Sequence, residues 1–176
     1  MKLSVLALLF TLLVTAAPAL AGPPLICHPI DIGAAKSLPW TTAPGWNGVE
    51  ASYDLSRLTD DTLSLLTPQT PIDVRRETLR RAAIYSAADA GLADALTTRL
   101  VARATEAEAA GKPNATAWFD AGYFVETVEQ AALVYPILRA EERPDGLAWI
   151  QKAIKLGGQD MQPAAAFVES ARVRDH

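Results

Sequence analysis

The chain has little of what builds covalent or metal-bound scaffolds: one cysteine and two histidines in 176 residues, with His176 at the very end. A single cysteine excludes an internal disulfide framework and a cysteine-built zinc or iron–sulfur centre. Two histidines leave little for an all-protein catalytic metal site. Basic charge is not in excess either. The formal net charge is −4, which argues against a dedicated nucleic-acid binder, since such domains carry a basic face. Phosphate-cradling P-loops, Rossmann glycine fingerprints, nucleophile elbows and zincin helices are all missing. What remains is an ordinary globular balance, 50% apolar and 20% charged. That is enough for one domain with a packed core, and it argues against wholesale disorder.

The amino terminus reads as an address. Lys2 gives a cationic start, Leu3 to Val14 an apolar run, and Ala19-x-Ala21 a small-residue cleavage site, the three parts of a secretory signal peptide. Residues 1–21 are expected to be removed by cleavage after Ala21, leaving an exported chain, periplasmic or secreted, in a bacterial host. The run is shorter than the roughly 20 apolar residues that span a bilayer. No other stretch comes closer, so no membrane span is expected after cleavage. Cys27 follows Pro24-Leu25-Ile26, too bulky a lead-in for a lipid-anchored cysteine.

Residues 22–53 form one compositional zone, whose prolines and glycines forbid a long helix. Leu25, Ile26, Ile30, Ile32, Trp40, Trp46 and Tyr53 are nevertheless too apolar for a free linker. The zone is therefore expected to be an extended strap packed on a helical body of residues 54–176, with at most a short strand at Ile30-Asp31-Ile32. From Asp54 the apolar period becomes helical. Helices are expected over 54–66, over 71–90 behind a Thr70 cap with Gly91 as its stop, and over 92–110 ending at Gly111. Three more are expected over 114–139 with a bend at Pro136, over 147–156 closed by Gly157-Gly158, and over 163–173. The connections are short, so successive helices are expected to form antiparallel hairpins. The fold class is all-α.

Two resemblances follow from particular runs. The helix Ala148 to Leu156, its short turn and the helix after Asp160 resemble a tetratricopeptide-repeat junction, in which an A-x4-A-x2-L helix leads through a turn into a new helix. The likeness covers residues 147–170, and the upstream hairpins lack the family's W-x2-L-G-x2-Y pattern, so it implies repeat-like helical layering only. The second rests on Cys27-His28-Pro29-Ile30-Asp31-Ile32-Gly33, Ser37-Leu38-Pro39-Trp40 and Arg76-Glu77-Thr78-Leu79-Arg80-Arg81-Ala82. These runs look like those of a group of secreted bacterial proteins to which no activity is attached. That resemblance implies export and a helical body.

Candidate chemistry lies in two places. On the helix over 71–90, Ile72, Leu79, Ala83 and Ala90 fall within about 20° of one line, and Arg76 lies about 40° from it. A guanidinium so near an apolar face must find a carboxylate or reach the rim. The helix over 114–139 carries Trp118, Phe119, Phe124 and Val125 around its axis, interrupted by Glu126 and Glu129, and carboxylates there need partners. One reading makes Arg76, Glu126 and Glu129 the polar floor of a binding pocket with Trp118 and Tyr123 as walls. The other makes them an interhelix ion-pair network. The second place is Cys27-His28, a candidate metal or haem ligand pair. Alternatively Cys27 is a buried apolar residue or links two copies in a homodimer, and His28 is simply hydrogen-bonded in the strap.

Smaller features are read as structural. Arg75, Arg76, Arg80 and Arg81 could bind an anion, but Asp73 and Glu77 interleave with them, so a solvated face is expected. Trp40 and Trp46 among prolines are expected to pin the strap, with stacking on a sugar or peptide as the alternative. Asn114-Ala115-Thr116 is a formal glycosylation sequon. No catalytic set or cofactor is expected. The leading functional reading is a non-enzymatic module that binds a protein or peptide in the cell envelope, because stacked hairpins offer concave surfaces. The alternative is a small-molecule or metal/haem binding module using Cys27-His28 or the Arg76/Glu126/Glu129 region, and the third is a hydrolase using the paired glutamates.

Overall fold

The computed structural model describes residues 23–42 and 44–174, the side chains of the last two excepted. The expected signal segment 1–21 and its cleavage point lie outside the described residues. Among them the fold is all-α: α1 (Pro24–Cys27), α2 (Leu58–Leu65), α3 (Ile72–Tyr85), α4 (Ala90–Ala109), α5 (Ala115–Val134), α6 (Gly146–Lys155) and α7 (Gln162–Arg174). The described residues contain no strand, only an isolated bridge between Trp40 and Val49. No described helix is long and apolar enough to cross a membrane.

α5 is the axis of the molecule. It is apolar around its circumference, is buried almost without interruption from Ala117 to Ala132, and packs against α1, α3, α4 and α6. Asn114 starts it by accepting the Ala117 N–H at 3.0 Å. The expected bend at Pro136 is an end instead: α5 stops at Val134, Tyr135 is extended, and Pro136–Leu138 form a separate 3₁₀ turn. Proline bars its predecessor from the helical region, and no further turn of helix can form past it.

The junction of α3 and α4 also differs from expectation. Gly91 does not close the earlier helix. A 3₁₀ turn over Ser86–Ala88 follows Tyr85, and Asp89 swings to φ −158° and caps α4 by accepting the Gly91 N–H at 2.9 Å. A side-chain acceptor that satisfies a free helix N–H outweighs the conformational freedom of the glycine beside it. The chain is turned so that the main helical partner of α3 is α5, and not α4, the helix that follows it. Thr70 is likewise not the cap of α3. Its hydroxyl donates to Leu65 O at 2.7 Å and accepts the Thr67 N–H at 3.0 Å, and Pro71 occupies the cap position. Gly111 (φ 69°) and Gly157 (φ 105°) do stop α4 and α6 in the left-handed region.

The arginine-rich face of α3 is the largest departure. It is not solvated: Arg75 and Arg80 are the bulkiest fully buried side chains, and Glu77 is buried beside Arg80. Glu77 receives Arg80 at 2.7 and 2.8 Å, Arg81 at 2.8 Å, and the Ile30 N–H at 3.0 Å. Burial works to raise the Glu77 carboxyl, but the two guanidiniums outweigh it and hold it below its usual range. Arg80 also donates to the carbonyls of Ile26 and Trp46, Arg81 to that of Leu38, and the Tyr85 hydroxyl to that of Pro39. The Trp40 ring lies 5.1 Å from the Arg80 guanidinium and 5.3 Å from that of Arg81. The chain from Ile26 to Glu50 is therefore gripped mostly by its main chain. Residues 27–33 and 37–40 thus meet residues 76–82 on this one helix.

Candidate functional site

The site begins where two glycines cross. A Cβ on Gly146 would sit 2.5 Å from Gly122 O and 2.6 Å from Glu126 Oε1, so α5 and α6 touch backbone to backbone. This contact sets the first turn of α6 against Glu126, which accepts the Leu147 N–H at 2.9 Å. The positive end of a ten-residue helix favours a carboxylate there. Asp145 caps the same helix by accepting the Ala148 N–H at 3.1 Å. Arg172 of α7 closes the set: its Nε reaches Glu126 Oε2 at 2.7 Å, and its Nη2 reaches Glu126 Oε1 at 2.5 Å and Asp145 Oδ1 at 2.9 Å. The Ala148 N–H and Arg172 hold the Asp145 carboxyl below its usual range. Donating to the Glu126 carboxylate holds Arg172 above its ordinary value.

Above this floor lies a groove of about 550 Å³, walled by Glu129, Leu133, Arg143 and Pro144. Glu126 is 2% exposed and both its oxygens are engaged. Glu129, one turn further along α5, is different. It is exposed, and among the described residues it forms no ion pair. Partial burial and the like charge of Glu126 push its carboxyl upward. Arg143 donates to Leu138 O and also has no carboxylate at ion-pair distance among the described residues. Leu133, 53% exposed, gives the wall an apolar section. The groove thus presents an apolar edge with one carboxylate and one guanidinium that no opposite charge pairs among the described residues.

The structure divides the residues singled out in the sequence. Glu126 and Glu129 share the groove. Arg76 does not line it: its Nε donates to the Tyr123 hydroxyl at 3.3 Å and its Nη1 to Asp73 at 3.0 Å, with its guanidinium over the rings of Tyr123 and Phe167. Trp118 belongs to a third cluster, donating to Glu108 at 3.1 Å beneath the Lys152 ammonium, with Trp149 at 5.8 Å. Arg143, Asp145 and Arg172 were not singled out. Asp145 before an apolar helix was a readable cap; Arg172, next to the buried Ala171, had no signal of its own.

Cys27 and His28 do not line the groove. The Cys27 thiol is free and partly buried; burial raises it against the pull of Arg80. His28 is exposed, with Nδ1 3.2 Å from Pro24 O. Among the described residues no group of three or more His, Cys, Asp or Glu side chains is arranged to hold a metal ion. Comparison of the chain with protein-family models, curated proteins and solved structures gave no match, so the geometry of the groove is what speaks to function.

Proposed function

We propose that the protein is an exported, non-enzymatic helical module that binds a protein or peptide segment in the cell envelope, with the groove over Glu126 as its seat. Residues 1–21 serve as the signal peptide, and the exported chain begins at Gly22. We read α4 to α7, where each helix packs on the next, as hairpin layering of the tetratricopeptide kind, with the segment 147–170 as one such junction. The observation that carries the reading is the groove itself. It has an apolar wall at Leu133 and charges of both signs without an ion-pair partner among the described residues, at Glu129 and Arg143; Ile137, also 53% exposed, lies outside its lining, four residues beyond Leu133. A concave surface with a few convergent polar groups is the usual form of a binding site.

The test is selection of a phage-displayed random peptide library on residues 22–176, followed by counter-screening on a Leu133→Asp, Ile137→Asp variant. Selected peptides should bind the parent protein and lose at least about tenfold in affinity on the variant, as expected when an anchoring apolar contact is removed. Failure to enrich any peptide, or enrichment indifferent to the two substitutions, would refute the reading.

A further inference from the structure

We infer that the groove is built for the carboxyl terminus of a peptide whose last residue is lysine or arginine. This rests on the groove being a peptide seat and adds what the peptide must carry. The charges of the floor are already paired: Arg172 donates through Nε and Nη2 to Glu126 and Asp145, and Glu126 also takes the Leu147 N–H. Two charges of opposite sign remain, Glu129 on α5 and Arg143 on the segment before α6. They line one groove without meeting. A ligand that satisfies both carries a cation and an anion close together, on one residue or on neighbours.

A C-terminal lysine or arginine has that chemistry. Its terminal carboxylate accepts from the Arg143 guanidinium donors that Leu138 O leaves free, a charge-assisted pairing for which a planar guanidinium is suited. Its side-chain cation reaches the Glu129 carboxylate. Three carboxylates and two guanidiniums leave the lining one negative charge in excess, which favours a cation at the Glu129 end. The preceding apolar residue of the peptide lies on Leu133 and Pro144. A volume of about 550 Å³ exceeds what a single amino acid fills and sits within the usual range for sites that bury a whole small ligand. That favours a peptide end over a free amino acid. Capture of a terminal carboxylate is a recurring way of reading peptides.

Fluorescence anisotropy with an N-terminally labelled Leu-Gly-Leu-Lys tetrapeptide tests the assignment on residues 22–176. The free acid should bind about tenfold more tightly than its C-terminal amide and than a version ending in norleucine, and sodium chloride should weaken it. Glu129→Gln should erase the preference for lysine over norleucine while keeping that for acid over amide. Arg143→Gln should do the reverse. Glu129 is exposed and Arg143 half-buried, and unchanged circular dichroism and melting temperature confirm an intact fold. Equal binding of all three peptides overturns the assignment, as does a preference indifferent to the variants, the result expected if Glu129 and Arg143 simply pair with each other. Free L-lysine binding as tightly as the tetrapeptide overturns the peptide as ligand. If the tetrapeptides do not discriminate but random-library peptides bind in a Leu133-dependent way, the charge assignment falls and the peptide seat stands. If neither binds, both fall.

Discussion

Glu77 and Arg80 show how a buried ion pair can be a clasp. A buried pair held only by mutual attraction can often be replaced by apolar residues without loss, whereas removing one partner leaves an uncompensated charge and costs about 3–5 kcal/mol. Glu77→Gln should therefore destabilise the protein by about 3 kcal/mol, because Arg80 is 1% exposed and has no other carboxylate beside it among the described residues. The double change Glu77→Leu with Arg80→Met separates the two roles. Arg80 also satisfies the carbonyls of Ile26 and Trp46, and a buried acceptor left unpaired costs about 1–3 kcal/mol. Urea denaturation should thus find the double variant still clearly less stable than the parent. Limited proteolysis should find it cut between Ile26 and Glu50. A double variant as stable as the parent, with that segment uncut, would make the pair an ordinary core contact.

At the scale of elements, the crossing of α5 and α6 decides the site. A methyl group at Gly146 would meet both the Gly122 carbonyl and the Glu126 carboxylate, so the helices must part to admit it. Gly146→Ala and Gly122→Ala should each cost about 2 kcal/mol, the usual scale of overpacking. Because both relieve or strain the same contact, the double variant should fall well short of the sum. Full additivity in chemical denaturation would mean the two glycines do not share a contact. None of this crossing was legible in the sequence, since a glycine's close neighbour is a tertiary fact. The helices themselves were legible, because apolar spacing and left-handed glycines such as Gly111 and Gly157 act locally. Boundaries failed where a side chain competed with the backbone, as at Thr70 and Asp89. The candidate site was half legible. Glu126 and Glu129 stood out as carboxylates on an apolar helix, but Arg172, their neighbour in space, lies 46 positions from Glu126 in the chain. Arg75 and Arg80 were misread for a related reason: an alternating-charge pattern looks solvated until a second segment of chain covers it.

For the molecule as a whole, opposed buried carboxylates shape stability against pH. Asp120 sits beneath α3, 1% exposed, with Oδ2 2.5 Å from Arg75 Nη1. Burial pushes its carboxyl up to about 6, against the pull first of Arg75 and then of Arg103. The folded chain therefore binds a proton there that the unfolded chain, titrating near 3.8, gives up. A state that holds more protons is favoured by acid, so this group adds stability as pH falls from about 7 to 4. Glu77 runs the other way. Its carboxyl is held below the unfolded value of 4.5, so its contribution is whole above that pH and is lost only as pH falls further. Between them these two groups favour the mildly acid side of neutrality. Between pH 7 and pH 5 Asp120 alone should add about 1 kcal/mol, from a displacement of about two pH units at 1.36 kcal/mol each, only partly realised by pH 5. Glu129, also raised, acts in the same direction, so the parent's profile by itself does not identify the source. Asp120→Asn does: whatever its absolute stability, it should flatten the rise between pH 7 and pH 5 seen in urea midpoints of the parent. A variant that kept the full rise would assign the proton to another group and leave Asp120 ionised beside Arg75 throughout.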